Sequence, residues 1–119
     1  MSLGNALYEA CLVVREGGWL DVSDLRREVK TRHQSMLARL EQAHLPGGLG
    51  KVGELVEIAF ADWTEAVTML GVACQEDSPE LARWALEKSL SGADTMRRLR
   101  QLLEEYSQAL CEEADDGDF

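Results

Sequence analysis

The sequence predicts an all-α protein, a four-helix bundle in mostly antiparallel order with a short first helix and a long last one. Three observations carry that expectation. Only two prolines interrupt 119 residues. Apolar residues recur at spacings of three and four along most of the chain, the period of a helix with one buried face. The breaks between these stretches are short, which joins neighbouring helices as antiparallel pairs.

Leu3, Leu7, Cys11 and Val14 mark the first helix, and Gly17-Gly18 supplies the backbone freedom that a helix C-terminus favours. Asp21 or Ser23 is placed to cap the second helix, whose apolar stripe is Leu25, Val29, Met36, Leu37 and Leu40. The run Leu45-Pro46-Gly47-Gly48-Leu49-Gly50 ends it. In the third helix Val52, Val56, Ala59, Trp63, Ala66, Leu70 and Ala73 alternate spacings of four and three, the seam of a helix packed along a neighbour. Three of these seven are alanine, so the partner helix can approach closely and Trp63 fills the wider part of the seam.

Asp77 with Glu80 resembles a capping box, and Ser78 followed by Pro79 is an alternative start for the fourth helix. Its seam is Ala85, Ser89, Gly92, Met96, Leu99, Leu103, Tyr106 and Leu110. The stripe keeps its phase through Ser91-Gly92, so one long helix is expected, with Gly92 marking either close backbone contact or a kink. Residues 1–113 then form a single helical domain. Residues 114–119, acidic and poor in apolar surface, are expected to be a disordered tail.

Charge is distributed by segment. The net charge is −10, and residues 52–82 hold seven acids without one Lys or Arg, whereas 22–51 carry a balance of +3. The overall surplus repels phosphate backbones, so no nucleic-acid partner is expected. The longest N-terminal apolar run, Ala10 to Val14, is too short for a signal segment or a membrane span, so no membrane partner is expected either. Cys11, Cys74 and Cys111 are odd in number and lack ligand spacing, which points to buried thiols in a reducing, cytoplasmic setting.

No motif for catalysis, cofactor or metal stands out, and none of the three is expected. Glu41 and His44 have the spacing of one ligand pair of a di-iron bundle but lack the second pair and the bridging carboxylates. His33 falls inside the apolar stripe of the second helix, as a core-edge histidine hydrogen-bonded to a neighbour would; a pH-sensitive contact is the alternative. Arg97 and Arg98 lie one turn from Asp94, and Arg100 one turn from Glu104, a pattern of local neutralisation on a solvated face.

Ala43-His44-Leu45-Pro46-Gly47-Gly48, with Val52-Gly53 after it, faintly resembles the histidine-phosphotransfer family of acidic four-helix domains. That resemblance implies His44 as phospho-acceptor and Gly48 as the small residue that leaves it accessible.

The remaining feature is the outer side of the third helix, where Ile58, Asp62, Glu65, Met69 and Val72 form a stripe roughly opposite Trp63. Either this helix is central and contacted on two sides, or the stripe binds another chain. The leading expectation is a non-enzymatic protein-interaction module, such as an adaptor, chaperone, inhibitor or immunity-type protein, that forms a homo-oligomer. An acidic antagonist or nucleic-acid mimic that takes a basic partner is the alternative, and a phosphotransfer domain using His44 is the third.

Overall fold

The computed structural model describes residues 3–42 and 50–117, with side chains of the last helix described as far as Glu105. The helices are α1 (Leu3–Arg15), α2 (Ser23–Gln42), α3 (Gly50–Glu76) and α4 (Pro79–Gly117). The expected four-helix bundle is what forms. Continuity through Gly92 holds, so α4 is a single helix of 39 residues, which takes in 114–117 of the segment expected as a tail.

Each described boundary has a local cause. At the end of α1 the Gly17 N–H donates to the Val14 carbonyl and the Gly18 N–H to the Val13 carbonyl, with Gly17 at φ 90°. These are the paired bonds of a Schellman motif. A Cβ on Gly18 would meet the Val13 carbonyl oxygen at 2.9 Å, so the glycine is sterically required. Of the two candidate caps for α2, Asp21 is the one that bonds, accepting from the Ser23 N–H at 2.9 Å. Asp77 occupies the left-handed position after α3 (φ 51°), and the Ser78 N–H returns to the Ala73 carbonyl. Ser78 then caps α4 directly, its Oγ accepting from the Leu81 N–H at 3.3 Å. The turn between the two longest helices thus needs only Asp77 and Ser78.

All seven residues of the expected α3 seam are buried, and Ala59, Ala66 and Ala73 are completely so. Helix α4 packs most extensively on α3, and α1 lies along α4. At Gly92 the two long helices meet through a tryptophan: the Trp63 indole N–H donates to the Ser89 carbonyl at 3.1 Å. A Cβ on Gly92 would stand 2.6 Å from Trp63 Nε1. Close contact, not a kink, is therefore the role of this glycine.

On its other flank α3 buries Phe60 and Val67, and α2 packs there. The third helix is thus central, contacted on both sides. Its core divides into a large-residue cluster around Trp63, Phe60 and Leu99 and a small-residue cluster of Ala10, Cys11, Ala73, Ala82 and Ala85 beside the α3–α4 turn.

Helix α4 also sets the overall shape. The radius of gyration is 17.5 Å, against about 13.5 Å for a compact chain of this length. The long dimension of 63 Å is close to the roughly 58 Å length of α4 itself.

Candidate functional site

The residues of the stripe Ile58, Asp62, Glu65, Met69 and Val72 differ in their surroundings. Asp62 accepts a hydrogen bond from Ser91 Oγ at 2.8 Å and lies 3.9 Å from Lys88 Nζ, while Glu65 holds that same ammonium at 3.0 Å. Both acids are therefore tied to α4 of their own chain. The bond to Glu65 and its negative charge raise the pKa of Lys88 above the ordinary lysine value. Met69 is half-buried against the small-residue cluster. Of the apolar members of the stripe, Ile58 and Val72 stand exposed.

His33 behaves as a core-edge histidine. Its Nε2 lies 2.9 Å from Glu57 Oε1, and its ring stacks on Phe60 with centroids 4.7 Å apart. This contact joins α2 to α3. His44 and Gly48, and with them the phosphotransfer resemblance and the Glu41–His44 pair, lie outside the described residues. Among the described residues no group of three His, Cys, Asp or Glu side chains is placed to hold a metal ion. No described helix is long and apolar enough to cross a membrane.

Among the described residues a large concavity opens that sequence reasoning missed. Helices α2 and α4 flank α3 without approaching one another closely. The first half of α1 lies between them, with Gly4 beside Ala93 and Trp63. The result is an open groove of about 820 Å³. Its apolar lining comes from Leu3 of α1, Met36 of α2, Phe60 and Trp63 of α3, and Ala93 and Met96 of α4. Tyr8 and Leu90, both more than 40% exposed, extend that apolar character outward.

The charged lining of the groove is biased toward one sign. Arg32 and Arg39 belong to α2 and Arg97 and Arg100 to α4, against a single acid, Glu28. Glu28 engages Arg32 at 2.6 Å, and Asp94 engages Arg97 and Arg98 at 3.5 Å each. Arg39 and Arg100 make no ion pair among the described residues, so the expected Arg100–Glu104 pair does not form. An apolar floor between guanidinium groups suits a ligand that is itself apolar on one side and acidic on its edges.

A smaller hollow beside Trp19, Val22, Gly71 and Val72 carries Arg26 and Asp21, one charge of each sign. Trp19 itself is 74% exposed. Comparison with protein-family models, curated proteins and solved structures found no match for this chain.

Proposed function

We propose that this protein is a non-enzymatic interaction module that holds an acidic, amphipathic helix in the groove between α2 and α4. The supporting observation is the composition of that groove, an apolar floor containing Trp63 and Phe60 edged by four arginines and one glutamate. Burial of apolar surface supplies most of the affinity in such a site, and the guanidinium groups select the sign of the partner and orient it. Tyr and Arg are among the residue types in which binding energy concentrates, and exposed Tyr8 and Arg39, unpaired among the described residues, stand at the groove's edge. A cytoplasmic setting accords with the buried Cys11 thiol and with the odd number of cysteines.

The acidic-antagonist alternative has less to support it, because Asp62 and Glu65 are already engaged by Lys88 and Ser91. Fluorescence anisotropy separates the two. Two labelled synthetic helical peptides share one apolar pattern, one with acidic flanks and one with basic flanks, and each is titrated with the full chain. The acidic peptide is expected to bind, more weakly at high salt, and to lose affinity in Arg39→Glu/Arg100→Glu. Preference for the basic peptide, or binding of neither, contradicts the proposal.

A further inference from the structure

We infer that the groove of one copy receives the C-terminal end of α4 from a second copy, in an antiparallel pair. This rests on the groove being a docking site for an acidic amphipathic helix, and it names that helix.

The first ground is geometric. Trp63 lies beside Gly92 across the α3–α4 pair, so the start of α3 at Gly50 is level with roughly residue 105 of α4 at equal rise per residue. Helix α4 continues to Gly117. Its last dozen residues therefore run about 18 Å past the start of α3. Being one unbroken helix, they lead away from the groove of their own chain and cannot fold back into it.

The second ground is charge. Residues 101–117 read QLLEEYSQALCEEADDG, with six acids and no Lys or Arg. Leu103, Tyr106 and Leu110 recur there at spacings of three and four, an apolar stripe of the kind an apolar groove accepts. Acidic helix and arginine-edged groove occur in the same sequence, which is the self-complementarity that a two-fold pair demands.

The third ground is register. An antiparallel crossing beside Leu103 and Glu104 sets residues 106–117 of one copy opposite residues 101–90 of the other. That is the stretch, Ser89 to Arg100, by which α4 lines the groove. His33 beside Phe60 and Trp63 beside Gly92 place Arg32 and Arg39 roughly level with Asp94 and Gln101. In this register Arg32 of one copy comes level with Glu113 of the other, seven residues after Tyr106 and hence at the edge of the same stripe.

Sedimentation velocity of the full chain over a range of concentrations, with far-UV circular dichroism to confirm folding, tests this. Two variants are compared with the parent: Arg32→Glu, with a reversed groove, and Glu113→Arg, with a reversed helix end. The parent is expected to dimerise. Each variant alone is expected to dissociate about tenfold more readily, equivalent to about 1.4 kcal/mol. An equimolar mixture of the two is expected to regain the parent's affinity as a heterodimer, because every reversed groove then meets a reversed end. A parent that stays monomeric, a dimer indifferent to both reversals, or a mixture of folded variants that fails to pair would overturn the inference. If the monomeric parent still binds the acidic peptide in an Arg39-dependent way, the groove stands and only the second copy is removed; if neither occurs, both fall.

Discussion

Replacing Gly92 by alanine tests the packing that positions the groove. In an exposed helix the substitution stabilises by about 1 kcal/mol. Here the added Cβ would lie 2.6 Å from Nε1 and 2.7 Å from Cδ1 of Trp63, and 3.1 Å from the Ala59 carbonyl oxygen. Apolar atoms prefer about 3.5–4 Å, so the overlap is close to 1 Å against a buried ring. Overpacking of this kind costs about 1–3 kcal/mol. Moving the indole aside also breaks its hydrogen bond to Ser89, and an unsatisfied buried N–H costs another 1–3 kcal/mol or so. The net expectation is a loss of about 3 kcal/mol, read as a lower urea midpoint with an unchanged slope. In a Trp63→Ala background most of the clash is gone, and the same change should lie within about 0.5 kcal/mol of neutral, giving a large coupling in the double-mutant cycle. A Gly92→Ala protein more stable than the parent would refute the close contact.

Other substitutions separate core from surface. Met69→Asp places a charge against the small-residue cluster and is expected to cost about 2–3 kcal/mol in chemical denaturation, whereas Ile58→Asp, at an exposed position, should change stability by no more than about 0.5 kcal/mol. Equal effects would mean that the stripe has been divided wrongly. Acid should act locally at α2. The Ser23 N–H bond holds the Asp21 carboxyl below its ordinary value of 3.8, so this bond helps the folded state above that pH and its contribution disappears as pH falls through the lowered value. The protection factor of the Ser23 amide should drop over that acidic range in the parent and stay flat in Asp21→Ala. Burial pushes the Cys11 thiol up to about 11, leaving little thiolate at neutral pH. Alkylation of Cys11 at neutral pH should therefore await unfolding, and rapid labelling of the native protein would show that the first helix opens readily.

Much of the fold was legible because it rests on local patterns. The α3 seam and the continuity of α4 follow from spacing, and the α1 terminus from the backbone preferences of Gly17 and Gly18. Phe60 and Val67 were less visible: each follows an alanine of the seam and widens its buried face, which shows only when a second neighbour, α2, is known to pack there. Asp62 and Glu65 read as free acids because Lys88 and Ser91 lie more than twenty residues further along, and bringing them together depends on the register of two helices. Local charge spacing misled at Arg100, since a pair one turn apart on a helix contributes only a few tenths of a kcal/mol and tertiary surroundings decide. The groove left no signature in any one segment. It arises where α2 and α4 stand apart across α3, with Arg32 and Arg97 contributed by helices far apart in sequence.

The central claim, that this groove and not the outer stripe of α3 is the docking surface, is tested most directly by methyl NMR spectra of the full chain recorded across a dilution series. Met36 and Met96 line the groove, whereas Ile58 and Val72 are exposed on the outer stripe. Concentration-dependent shifts at Met36 and Met96, with Ile58 and Val72 unmoved, are the predicted result. Shifts confined to Ile58 and Val72 would contradict it.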